Sequence, residues 1–255
     1  MRSYLVALGT LTVLPVPLPG HPTALDLARS RYWYPVVGLV LGVILAGMTA
    51  LAGSLGSPFA GAFLVVAAWV GVTGGLHLDG VGGVGDALPY AGNAEDRLRI
   101  MKDPHLGTFG LIGVVLVLLG KFAAVVELIA QAPDTAPAVV LVAAVVARAL
   151  VLVLAAGSPY PRPAGTGKIV VESTTWFEAR LALLGTAALI ALLTPVTTTQ
   201  DSVFLLVALW GSMVLAVFGL RLLCIEKLGG VTGDCLGAGI ELVEVLFLVL
   251  AALLG

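Results

Sequence analysis

Two runs set the limits on what this chain can fold into. Between residues 111 and 129 the charged residues are Lys121 and Glu127, and between 138 and 156 the one charge is Arg148. A helix needs about 20 largely apolar residues to cross the hydrocarbon of a bilayer. Comparable runs recur at about 35–52, 59–72, 179–193, 203–220 and 240–254. They are continuous and do not alternate, which argues against a membrane β-barrel with its ~10-residue segments of alternating polarity. Composition agrees. Charged residues are 11% of the chain and mean hydropathy is +1.09, whereas soluble domains carry about 25% charge. The sequence predicts an all-α polytopic integral membrane helical bundle of about seven transmembrane helices, forming one membrane-embedded domain over 1–255.

The N-terminal MRSYLVALGTLTVLPVPLPG has the basic residue and short apolar run of a signal peptide. It lacks a small-residue cleavage site, and Pro15, Pro17 and Pro19 interrupt it. It reads as an interfacial or re-entrant segment. A net charge of −2 points to no nucleic-acid partner, and Cys224 and Cys235 are too few for a disulfide framework.

Basic residues orient the bundle. The connections 53–58, 130–137 and 194–202 contain no Lys or Arg, while ten of the thirteen basic residues lie in the connections on the other face. Lys and Arg mark the cytoplasmic side. That places 73–110, 157–178 and 221–239 together in the cytoplasm. Lys121, Glu127 and Arg148 lie inside spans, where ionisable groups need partners, and Arg148 is expected to pair internally with Lys121 or Glu127.

The charge that remains is concentrated. Residues 73–110 hold eight of the 28 charged residues. Within HLDGVGGVGD, Asp79 and Asp86 are seven apart and share a helix face. Two such carboxylates are hard oxygen ligands suited to Mg²⁺, which bridges to substrate phosphates. The glycines by themselves fit close helix packing, but His77 and the acids among them indicate chemistry. In EDRLRIMKDPHLGTFG, Arg97, Arg99 and Lys102 suit phosphate oxygens, and Asp103 is a candidate ligand or base. GGVTGDCLGAGIELVE opens a helix with glycines and Asp234. An acid at a helix N-terminus has an ordinary dipole explanation. Glu241 and Glu244, deeper in and one turn apart, do not, and shared metal coordination would relieve their repulsion. SPYPRPAGTGK adds Arg162 and Lys168, without P-loop spacing.

Together these strings, with GTLTVLPVP, YPVVGLVLG and TGGLHLDG, resemble the cobalamin synthase family, adenosylcobinamide-GDP ribazoletransferase, in the family's order along nearly the whole chain. The resemblance implies an Mg²⁺-dependent membrane enzyme of the bacterial inner membrane with its active site facing the cytoplasm. It would join α-ribazole, or its 5′-phosphate, to adenosylcobinamide-GDP and release GMP. Its partners would be those substrates and membrane lipid, and a homo-oligomer is compatible with the sequence. On this reading Asp79, Asp86, Asp234, Glu241 and Glu244 hold metal. Arg97, Lys102 and Arg162 position phosphates, and His77 or Asp103 serves as base. Three positions depart from the family's pattern. Gly83 stands where it has an acid, and Pro104 and His105 stand where it has a small polar residue and Arg. The alternatives are a membrane phosphotransferase of CDP-alcohol type, of whose motif only Asp79-Gly80 is present, and a secondary transporter, for which no inverted repeat is visible.

Overall fold

A computed structural model describes residues 1–18, 20–193 and 200–254; the side chains of 193, 200–206 and 254 fall outside that description. Every regular element described is helical. In chain order these are α1 (Arg2–Leu11), α2 (Ala24–Ser30), a 3₁₀ turn (Arg31–Trp33), α3 (Tyr34–Gly53), α4 (Pro58–Thr73), α5 (Leu76–Ala87) and α6 (Ala94–Ile100). There follow α7 (Thr108–Gln131), α8 (Ala136–Ala155), α9 (Lys168–Ser173), α10 (Trp176–Leu193), α11 (Gln200–Leu228) and α12 (Gly233–Leu254).

Among the described residues, five helices are long and apolar enough to cross a membrane: Ala24–Gly53, Thr108–Gln131, Ala136–Ala155, Val207–Leu228 and Gly233–Leu253. The bent pair α4–α5 makes a sixth if counted as one broken span. The expected polytopic membrane bundle is therefore present with five to six such spans. Of the seven expected runs, 179–193 lies in α10, which is not among these helices, and the turn expected at 194–202 lies largely outside the described residues.

Local sequence explains the breaks that matter. Thr23 and Asp26 form a reciprocal capping box at the start of α2, with Asp26 N–H donating to Thr23 Oγ1 at 3.2 Å and Thr23 N–H to Asp26 Oδ2 at 3.0 Å, which satisfies two otherwise orphaned donors. Pro58 opens α4 behind a Ser57 cap. At the end of α4 both Gly74 and Gly75 are left-handed, at φ 63° and 68°, a conformation residues with a Cβ rarely adopt. The chain turns there by 87° into α5. A Cβ on Gly74 would also meet Val13 Cγ1, where the N-terminal segment crosses and Val13 N–H donates to Val72 O at 2.9 Å. The segment read as interfacial or re-entrant is thus a short helix, α1, followed by extended chain tied to the α4–α5 bend.

α8 is the central helix. Its most apolar stretch is 78% buried, against 22% for the corresponding stretches of α7 and α11, which leave broad apolar faces for lipid. α3 packs against α8 through Gly38 and Gly42, where an added Cβ would lie 2.7 Å from Ala144 O and 2.8 Å from Leu141 O. Small residues that let backbones approach are what helix association in lipid relies on. The same device joins α5 to α12, where Gly80 lies against the Asp234 carbonyl and Gly237 against His77 Cα. It also seats the 158–167 loop on the start of α12, with Gly167 against Gly233 and Val231 N–H donating to Pro159 O at 2.9 Å.

Candidate active site

Those close approaches bring three distant segments to one hollow. A cavity of about 300 Å³ lies between the end of α1, α2, the start of α3, α5, α8, the 166–170 segment and the first two turns of α12. His77 and Asp79 enter from α5, Thr166 and Gly167 from the loop, and Asp234 from α12. Leu11, Leu27, Val151, Val170 and Ile240 supply apolar wall. Asp79 is exposed, and its carboxylate has no ion-pair or hydrogen-bond partner among the described residues. Asp234 is ion-paired to Arg162 at 3.0 Å, and both side chains are largely covered. The guanidinium nitrogen Nε of Arg162 has no hydrogen-bond partner among the described residues. Of the acids expected to converge, Asp79 and Asp234 are the two that line this cavity.

The other expected metal ligands are engaged elsewhere. Asp86, on the same face of α5 as Asp79, accepts Gly107 N–H at 2.7 Å and Gly110 N–H at 2.8 Å. It caps α7 from a distance, since Gly107 brings no capping side chain of its own, and this satisfies donors that the helix start would otherwise leave bare. Glu241 and Glu244 lie in a buried ionic cluster. Lys121 pairs with Glu241 at 2.7 Å and also with Glu244; Arg148 pairs with Glu244. Trp69 Nε1–H donates to Glu244 Oε1 at 3.2 Å, and the Lys121 ammonium sits 4.6 Å over the Trp69 ring. Two carboxylates and two cations balance, which is the condition for burying charge at tolerable cost. Arg148 thus finds its partner in Glu244 on α12. Lys121 joins the same cluster, and Glu127, the other partner expected for Arg148, is exposed on α7.

His77 connects cluster and cavity. It is 3% exposed, and its Nδ1 lies 3.5 Å from Arg148 Nη2. Arginine only donates, so the ring nitrogen facing it presents its lone pair, which leaves the hydrogen on Nε2. That nitrogen is buried and has no partner among the described residues. In this tautomer His77 is a donor to the cavity, which removes it from the position of base. Asp103, the other candidate base, does not line the cavity. Its carboxylate accepts His105 N–H at 2.9 Å and contacts His105 Nδ1 at 2.7 Å. These bonds, the backbone one foremost, hold its pKa below the ordinary carboxylate value.

The expected phosphate-binding cations divide likewise. Arg162 reaches the cavity's acid. Arg97 donates to the carbonyls of Tyr90, at 2.6 and 3.0 Å, and of Lys227 at 3.1 Å, tying the 88–93 loop to the end of α11. Lys102 is exposed and has no ion pair among the described residues.

Residues 3–252 match the cobalamin-5-phosphate synthase family. The chain is 40% identical over 256 residues, covering all of both chains, to the adenosylcobinamide-GDP ribazoletransferase of Pseudomonas savastanoi pv. phaseolicola. It is 39% identical to the enzyme of the same name from Pseudomonas fluorescens, over 99% of this chain and 100% of that one.

The chain belongs to the cobalamin-5-phosphate synthase family.

No solved structure matches it closely enough to support a comparison. For this member of the cobalamin-5-phosphate synthase family the departure at Gly83 has a clear steric setting. A Cβ there would come no closer than 3.9 Å to Met101, an ordinary van der Waals contact, so the backbone position itself does not require glycine. Residues that sequence reasoning missed are on the cavity's near wall, including Thr10, Ser30, Tyr34 and Thr166. Thr10 and Thr166 lie in strings that carry the family resemblance, but no spacing rule links the end of α1 to α12, so their meeting on this wall had no local signal.

Proposed function

We propose that the cavity is the active site of an adenosylcobinamide-GDP ribazoletransferase acting in cobalamin biosynthesis, at the cytoplasmic face of the bacterial inner membrane. The observation that carries this reading is the meeting of Asp79 and Asp234 on one hollow, with Arg162 ion-paired to Asp234, from three segments that all fall on the Lys- and Arg-rich side. Family membership and the name shared by the full-length relatives support the reaction class.

The residues present fit a divalent cation. Mg²⁺ is commonly held by one or two carboxylates together with water and substrate phosphates, and Asp79 and Asp234 are two carboxylates on one cavity, the second held at Oδ2 by Arg162. Bound there, Mg²⁺ would supply charge neutralisation on the diphosphate and on departing GMP. Arg162, a planar donor fork suited to phosphate, would exchange Asp234 for a diphosphate oxygen. The ribazole 5′-oxygen attacks the phosphorus on the cobinamide side. A new P–O bond forms, the diphosphate bridge breaks, GMP leaves with the bridging oxygen, and the hydroxyl's proton is released. With His77 a donor and Asp103 outside the cavity, the carboxylate oxygen of Asp79 that does not hold the metal would take that proton.

The test is GMP release from adenosylcobinamide-GDP by washed membranes with Mg²⁺ and α-ribazole. The expected result is ribazole-dependent release, abolished in Asp79→Ala and Asp234→Ala while the protein remains inserted. No ribazole-dependent release by the wild type, or full activity in either variant, overturns the reading.

A further inference from the structure

The proposed reaction brings together two substrates of very different size, and the cavity selects between them. At about 300 Å³ it lies at the small end of ligand sites, which run to about 1,000 Å³. A corrin ring with its side chains does not enter such a space, whereas a nucleoside with a two-ring base does. Its polar and apolar parts are also distributed in a way that suits a nucleoside. Asp79 and Asp234 serve the end where phosphoryl transfer takes place, and Leu27, Val151 and Ile240 provide surface for a flat apolar base. Two buried hydrogen-bonding atoms of the wall have no hydrogen-bond partner among the described residues, His77 Nε2 and Asp234 Oδ2, and of these Asp234 Oδ2 is ion-paired to Arg162. The opposite ring nitrogen of His77 faces Arg148, which is itself paired with Glu244.

We infer that the cavity receives the aromatic base of the acceptor nucleoside, and that His77 Nε2–H donates to that base's unsubstituted ring nitrogen, with Arg148 as the residue that orients the imidazole. The inference rests on the proposed function for the identity of the acceptor, and it extends that function to base recognition. An N-ribosyl benzimidazole has one free ring nitrogen, an acceptor in the plane of an otherwise apolar ring system. A buried donor discriminates strongly against an analogue that leaves it unpaired. The corrinoid then stays outside the mouth and presents only its diphosphate to the carboxylates and Arg162.

The experiment compares ribosyl-dimethylbenzimidazole with the ribosyl-dimethylindole of the same shape, which has C–H in place of the acceptor nitrogen. Binding of each is measured at equilibrium to the full-length protein in lipid nanodiscs, by ligand fluorescence, so that no turnover is needed. The wild type is expected to bind the benzimidazole at least tenfold more tightly, His77→Leu to lose that preference, and His77→Gln, whose amide N–H falls near the Nε2 position, to retain most of it. Leu27 is only half-buried, and Leu27→Trp, which fills the cavity, is expected to weaken both nucleosides at least tenfold while the KM for adenosylcobinamide-GDP stays within about twofold. Equal wild-type affinity for the two nucleosides overturns the inference, as does a preference unchanged in His77→Leu, or a Leu27→Trp effect that falls on the corrinoid. A wild type that binds the nucleoside selectively yet releases no GMP overturns the proposed reaction and leaves base recognition standing.

Discussion

Asp234 and Glu241 sit two turns apart on α12, and their surroundings are opposite. Glu241 and its neighbour Glu244 are buried among Lys121, Arg148 and Trp69, with cations to match their charge. Asp234 opens on the cavity, is ion-paired to Arg162, and shares its hollow with Asp79, whose carboxylate has no partner among the described residues. From the sequence all four read as metal ligands. The structure indicates that a carboxylate in a membrane bundle is available for chemistry only where its charge is under-compensated and a cavity reaches it. A fully compensated pair holds helices together. Here it joins α7, α8 and α12 around the residue that backs His77.

Four substitutions sharpen or break this contrast. The largest effect is expected from Glu244→Ala. It strands Arg148 and Lys121 in the core, and removing one partner of a buried pair costs about 3–5 kcal/mol. Thermal unfolding in detergent should show a steep drop in Tm together with lost activity; an unchanged Tm would mean the cluster is not structural. Asp234→Asn should behave the other way. Activity should fall by about 10²–10³, the scale of losing one preorganised electrostatic group, with a Tm loss smaller than that of Glu244→Ala, because one ion pair to a partly covered Arg162 is lost where Glu244→Ala strands two buried cations. A Tm loss as large as that of Glu244→Ala would erase the distinction between the two ends of α12. Asp86→Ala should cost roughly 1 kcal/mol of stability, as expected for a lost helix cap, and reduce activity only through the position of α5. A defect as deep as that of Asp234→Asn would put Asp86 back at the metal. Gly83→Asp is the mildest. With only ordinary van der Waals contact to Met101 at the Cβ and a helix propensity gain over Gly of a few tenths of a kcal/mol, it should fold normally. If the new carboxylate strengthens the site, the Mg²⁺ concentration for half-maximal rate should fall; an unfolded variant would contradict this steric setting.

Much of this was legible in the sequence, and particular residues show why the rest was not. Apolar runs and the distribution of Lys and Arg marked the membrane bundle and the side on which 79, 162 and 234 meet. Asp86 misled because seven-residue spacing fixes a helix face and says nothing about what packs there, and here Gly107 and Gly110 of α7 do. Glu241 and Glu244 misled because their compensating cations come from two other helices. Arg97 reads as a phosphate ligand by residue type, but the loop at Tyr90 and the end of α11 present carbonyls that need a donor. The near wall of the cavity comes from an N-terminal segment whose place depends on Val13 crossing the Gly74–Gly75 bend, a tertiary contact with no local signature.

The most direct test is Mn²⁺ binding, followed by electron paramagnetic resonance on the purified protein in nanodiscs with GDP present, comparing Asp79→Asn, Asp234→Asn and Asp86→Asn. The account predicts that each of the first two weakens Mn²⁺ binding by at least tenfold and that Asp86→Asn leaves it close to wild type. Loss in Asp86→Asn equal to that in Asp79→Asn, or retention of binding in Asp234→Asn, would contradict it.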